Sequence, residues 1–262
     1  MENYHSASWN PWHGCFKISE GCKNCFIYSI DSIHKRDTKH ICLNKNFEYP
    51  LKKRRNGEYH IPDNTLVYTC LSSDFLLPQA DEWRNRAWEI MHIRRNVHFV
   101  FFTKRIERLQ SVLPRDWGNG YENVIIGVSA ENQKHAKQRI PLLCALPIKH
   151  RWVICAPLLE EIHIESYLAN IELISAGGES GYKARICDYK WVLSLRKQAY
   201  EAGIKFHFHQ TGAMFLKDGK LYKIPKHLQR IQAKKANIDI APLHAPHCKE
   251  LNEKRGLFSV ET

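Results

Sequence analysis

Glycine and proline are scarce in this chain of 262 residues, at 13 and 11, while aromatic residues make up 11%. That composition excludes collagen-like, low-complexity and disordered classes. Long apolar runs are missing too. The longest, such as Val97 to Phe102, are far too short to cross a bilayer, and Met1 to Pro11 holds no signal-peptide core. A cytoplasmic protein with no membrane partner is expected. No Gly-x-Gly-x-x-Gly follows the first strand-like run, which argues against a dinucleotide fold, and no Gly-x-Ser-x-Gly elbow offers a nucleophilic serine. Acids are the minority, 27 against 39 Lys and Arg, for a net charge of +12. The excess favours anionic partners, either nucleic acid or a cofactor bearing phosphate or carboxylate. It concentrates at Lys52 to Arg55, at Arg94-Arg95 and in the C-terminal stretch, with no zinc-finger or RNA-recognition signature beside it.

What is present is a rhythm. Apolar, β-branched or aromatic runs at Leu66–Leu71, Val97–Phe102, Val124–Val128, Trp152–Ala156, Ile171–Ala176 and Lys205–His209 alternate with helix-period stretches. A first strand is expected near Ser6 to Asn10. The runs do not alternate apolar with polar, as befits parallel strands covered on both faces. Helices are expected at Cys25–His34, Ala80–Arg94, Arg105–Val112, Gln133–Leu143, Ile162–Leu168 and Asp188–Ala202. Strand–helix repetition specifies a parallel α/β sheet with right-handed crossovers, as a barrel or a doubly wound sheet. Residues 40–64 read as a polar insertion and 217–262 as a basic extension with a hairpin at Lys217 to Lys220; most of both is expected to be solvated. Chemistry in such folds gathers at the carboxyl ends of the strands. There the sequence places Ser72-Ser73-Asp74, Thr103-Lys104-Arg105, Ser129 to Asn132, Gly177 to Gly181 and Gln210.

Nine cysteines without an export signal are not a disulfide framework. Three crowd together as Cys15, Cys22 and Cys25, in the spacing C-x6-C-x2-C. Thiolates in a Cys-x2-Cys turn can share a metal or cluster. A closed zinc site would need a fourth ligand such as His13 or His34, and no second Cys-x2-Cys pair completes a ribbon. A [4Fe–4S] cluster on three cysteines would leave one iron open, and the loop after a first barrel strand suits that arrangement.

The stretch from Trp9 to Ser19, continuing through Gly21-Cys22-Lys23-Asn24-Cys25, resembles the opening of the phage Gp37/Gp68-type family. The resemblance continues in order through Thr103-Lys104-Arg105, Gly127 to Asn132, Pro157-Leu158-Leu159, Gly177 to Gly181 and Gln210, covering about residues 6 to 215. That family looks like a divergent branch of the radical S-adenosylmethionine (SAM) enzymes. The resemblance implies a partial (β/α)6 TIM-like barrel over residues 1–216, with the insertion at about 40–64 and the basic extension 217–262 packed on it. Departures stand at the first cysteine spacing, six residues where three are usual, and at Phe26, Ala156 and His209.

It further implies a [4Fe–4S] cluster on Cys15, Cys22 and Cys25, and SAM held by Ser72, Ser73, Asp74, Thr103, Ser129, Glu131 and Arg185. A small nucleobase substrate would meet Asn10, Asn132, Gly178, Glu179, Ser180 and His209, and an external one-electron reductant would be required. One activity associated with the family is queuine lyase, which cleaves a carbon–nitrogen bond of the 7-deazaguanine base queuine for queuosine salvage. Two other classes compete: a radical SAM enzyme acting on nucleic acid directly, gripped by Lys52 to Arg55 and the basic tail, and a non-catalytic zinc-binding module.

Overall fold

The computed structural model describes residues 5–241; Cys248 and residues 242–262 of the basic extension lie outside the described residues. Seven strands carry the fold: β1 (Ser6–Trp9), β2 (Leu66–Thr69), β3 (His98–Thr103), β4 (Val124–Ser129), β5 (His150–Cys155), β6 (Leu173–Gly177) and β7 (Lys205–Gln210). Each answers one apolar run of the sequence. They pair in chain order, every neighbour parallel. A doubly wound sheet reverses its strand order at a switch point; this one never does. Right-handed crossovers then fall on one side, and the twist curls the sheet into a half-barrel. The expected partial barrel is present at that level, with seven strands rather than six.

Helices α1 (Phe26–Ile33), α2 (Asp81–Ile93), α3 (Leu109–Val112), α4 (Gln133–Ala145) and α5 (Tyr189–Glu201) follow predicted stretches, with two corrections, and α6 (Lys226–Lys235) is an unpredicted helix in the basic extension. The Arg105–Val112 helix is reduced to a 3-10 turn and one short α segment, because Leu113 stands before Pro114 and is extended. The Ile162–Leu168 helix is a 3-10 helix at Glu165–Asn170. No helix among the described residues is long and apolar enough to cross a membrane.

The outer face of the sheet is the core. Trp9 packs on Phe99, and Phe101 stacks on Phe75 with ring centres 4.4 Å apart beside Trp88. The insertion is less solvated than its polarity suggests. Its Cys42–Leu43 pairs antiparallel with Trp12–His13, Phe47 and Ile61 are buried, and the Trp9 indole donates to the Phe47 carbonyl at 2.9 Å. A few apolar side chains suffice to seal β1. The expected domain boundary at residue 216 falls inside the strand Met214–Lys217, which pairs with both Lys220–Lys223 and Ile186–Asp188.

Alternation assigns the other face. With Trp9, Phe99 and Phe101 pointing outward, Ser8, Tyr68 and Phe102 point into the concavity, and Trp152, Ser175 and His209 share that parity. Two glycines make room there. A side chain at Gly127 would strike the Phe102 ring, and one at Gly177 would strike the His209 imidazole. Phe102 and Trp152 lie 6.4 Å apart across the floor.

Candidate functional site: a cysteine loop on three acid–arginine pairs

The three cysteines occupy the loop between Trp12–His13 and α1, and none is in a disulfide. Burial raises the Tyr28 hydroxyl, and the charges of the Cys15, Cys25 and Cys22 thiolates add to the effect, so all three sulfurs are within electrostatic reach of it. Tyr28 donates back to the Cys15 carbonyl at 2.6 Å. Burial pushes the Cys15 thiol up to about 11, helped by Asp74 and countered by Arg105. Burial also raises Cys25. It works against Cys22 as well, yet there the Lys104 charge, hydrogen bonds at Ile18 and the Ser19 hydroxyl win, and that thiol ends below its ordinary value.

Three carboxylates hold this loop, each from a different strand end, each buried, each on its own arginine. After β2, Asp74 accepts from the Thr103 hydroxyl at 2.7 Å, from the backbone N–H groups of Leu76 and Lys104, and from Arg105 at 3.0 Å. Arg105 then reaches the Phe16 carbonyl at 2.8 Å, next to Cys15. After β4, Glu131 is fully buried between Arg139 at 2.6 Å and the Ser19 hydroxyl, and Gly21 lies so close on its side chain that a Cβ there would overlap it. Ser19 in turn touches the Cys22 sulfur at 3.6 Å. After β6, Glu179 takes three bonds from Arg185 and one at 2.9 Å from Asn24, the neighbour of Cys25. Burial opposes ionisation of Glu131 and Glu179, but these cations and donors prevail and hold both below the usual carboxylate range. One anchor thus serves each cysteine.

Most of the predicted binding residues belong to this framework. Ser72 donates its backbone N–H to Asn10 and its hydroxyl to the Trp12 carbonyl, and Ser73 donates to the Gly14 carbonyl. The strand end reaches the loop through Cys70, whose φ of 60° turns the chain at a residue other than glycine. Arg185 is occupied by Glu179. The Asn132 oxygen caps α4 by accepting from His135 at 2.9 Å, and the Ser129 carbonyl accepts from Arg139. Gly178 and Ser180 are joined to Gln210, and Ser180 donates to Gln229 of α6. His13 offers a zinc site no vacant Nε2, because that atom meets Asp31 at 2.9 Å.

His209 stands apart, in the concavity, with Nδ1 3.1 Å from the Ser175 hydroxyl. Burial, then the charges of His207 and Arg230, hold its imidazole neutral down to about 4. Sequence reasoning passed over Arg139 and the inner aromatics Tyr68, Phe102 and Trp152. Helical spacing from Glu131 could have found Arg139; runs without alternation gave no signal for the aromatics.

Of the cations at the rim, Lys104 is the least committed. It is half-exposed, and the carboxylate it faces, Glu131, is 3.9 Å away. A cleft of about 490 Å³ passes it, between the cysteine loop at Ile18 and α4 at His135 and Arg139. Among the described residues, no three of His, Cys, Asp and Glu stand close enough to hold one metal ion.

Residues 2–243 match the family described as "Protein of unknown function (DUF5131)". The chain belongs to that family. No curated protein and no solved structure matches it. Membership agrees with the phage-type family expected from the motifs but assigns no chemistry, so an activity rests on the site itself.

Proposed function

We propose that this DUF5131 protein is a radical SAM enzyme whose loop Cys15–Cys25 holds a [4Fe–4S] cluster, and that its substrate is queuine. The observation that carries the reading is three free thiols on one loop, each beside its own buried anchor at the carboxyl end of a half-barrel. The donor set fits the group. A zinc ion gathers its ligands tightly around one centre, whereas a cluster takes each thiolate at a different iron. Lys104 lowers the cost of negative charge at both Cys22 and Cys25.

Cys15, Cys22 and Cys25 would hold three irons. SAM on the remaining iron would supply, on one-electron reduction, a carbon radical able to take a hydrogen atom from the substrate. The rest is work for the chain's own groups. With Arg185 on Glu179, Lys104 is the cation available to the methionyl carboxylate. The inward-facing Tyr68, Phe102 and Trp152 offer aromatic faces to a deazaguanine ring. His209, neutral at physiological pH, can accept a hydrogen bond from the base or from the amine released when the carbon–nitrogen bond breaks.

Anaerobic purification followed by iron and acid-labile sulfide analysis tests the first step. About four irons and four sulfides per chain, lost in Cys15→Ala, Cys22→Ala and Cys25→Ala, are expected. Reductive cleavage of SAM in the presence of queuine should then yield the aminomethyl-deazaguanine. Stoichiometric zinc without sulfide would refute the radical reading and leave a structural loop.

A further inference from the structure

The last described segment gathers an unusual charge. Between Met214 and Ala236 the hairpin carries Lys217, Lys220 and Lys223, and α6 carries Lys226, Arg230, Lys234 and Lys235. Against these seven stands one acid, Asp218, for a net +6 where the whole chain has +12. All seven cations are exposed, and among the described residues none forms an ion pair. The arginines beneath the cysteine loop are the opposite case, each bonded to a carboxylate.

Local geometry presents these charges rather than hiding them. Asp218 and Gly219 both have positive φ, 52° and 75°, and make the two-residue turn that suits a twisted hairpin. The register then puts Lys217 directly opposite Lys220, an arrangement that costs stability when nothing neutralises it. Strand Lys220–Lys223 is the free edge of its small sheet, exposed at every position, with Tyr222 41% and Leu221 43% open to solvent. Helix α6 buries Gln229 and Ala233 and packs on β7, leaving its basic side outward. The Arg230 charge is felt at both Tyr68 and His209, so this residue of α6 lies within electrostatic reach of two inward-facing side chains.

We infer that the hairpin and α6 bind the phosphate backbone of a single-stranded nucleic acid, with Tyr222 as a stacking platform. Exposed cations at a solvent edge match a polyanion of regularly spaced charge. An aromatic side chain interleaved among them matches the flat faces of unpaired bases. An acidic protein would satisfy the charges but would have no particular use for Tyr222. The inference does not depend on the cluster, since it concerns a surface outside the cysteine loop. Of the two grips expected from the sequence, it keeps the start of the basic extension and leaves out Lys52 to Arg55.

Fluorescence anisotropy of the full chain with a labelled oligouridylate, over a salt series, tests it. Binding should weaken steeply with salt. The triple variant Lys217→Glu, Lys220→Glu, Lys223→Glu should bind at least ~10-fold more weakly and flatten the log–log salt slope by about 2. Tyr222→Ala should weaken binding about tenfold with the slope unchanged. Arg54→Glu with Arg55→Glu should bind like the parent. Matching thermal melts would exclude unfolding, and unchanged binding by Cys15→Ala would separate this result from the fate of the cluster reading. No binding at low salt, an unaffected triple variant, or equal competition by polyglutamate with a silent Tyr222→Ala would overturn it.

Discussion

The rim beneath the cysteine loop and the C-terminal hairpin–helix unit are both rich in charge, and they use it in opposite ways. At the rim, Asp74, Glu131 and Glu179 are buried, and each is matched by one arginine and further donors. In the hairpin–helix unit every cation is exposed and, among the described residues, without a carboxylate. Burying an ion costs several kcal/mol unless a partner and hydrogen bonds repay it, so paired buried charge fixes geometry. Exposed charge costs almost nothing to keep and remains free for a partner. The first region therefore builds a site, and the second offers a surface.

The sharpest way to break this contrast is to unpair a rim charge. Arg139→Leu would leave Glu131 buried against Ser19 and the distant Lys104, and should cost about 3–5 kcal/mol in urea denaturation. Adding Glu131→Gln to that variant should restore part of the loss, because the orphaned charge is gone. If Arg139→Leu were neutral, the pairs would not be what holds the loop.

Acid titration is the next test. His209 binds no proton in the folded chain until about pH 4, while an unfolded histidine takes one up near 6.5. Its folded value is depressed, so the associated stability is complete above about pH 6.5 and is lost as pH falls toward 4. The loss should reach at most ~3 kcal/mol. Glu131 and Glu179, also depressed, act in the same direction at lower pH. Thermal melts of His209→Asn should lack the portion between 6.5 and 4 while keeping the carboxylate portion.

The smallest effect belongs to the hairpin. Lys220→Ala relieves the repulsion across the turn from Lys217, and should raise Tm by about 1 °C. A fall instead would mean that the Lys220 ammonium over the Tyr222 ring, 5.3 Å from its centre, is worth more than the repulsion.

Several of these features are legible in the amino-acid sequence. The strands and their parallel sheet follow from apolar runs that recur with helices between them, though not their pairing in chain order, and a Cys-x2-Cys turn after the first run marks the loop. The polar strand ends Asp74, Glu131 and Glu179 stand out as site residues because βα loops meet at one rim. Their partners do not. Asn24 reaches Glu179 across 155 residues of sequence, and Ser19 reaches Glu131 across 112. No local pattern encodes such a match. Trp9 and Trp12 flank the cysteine loop in sequence, yet both are buried in packing: β1 turns Trp9 toward Phe47 and Phe99, and Trp12 lies against Phe75 and Trp83.

By itself, then, the sequence determined the parallel α/β rhythm, the three-cysteine loop and the basic surplus, because periodicity, spacing and composition are local properties. Tertiary structure alone decided which carboxylate met which arginine and which aromatics faced the concavity. Those outcomes depend on register and sheet curvature. Strands covered on both faces carry no alternation from which either can be inferred.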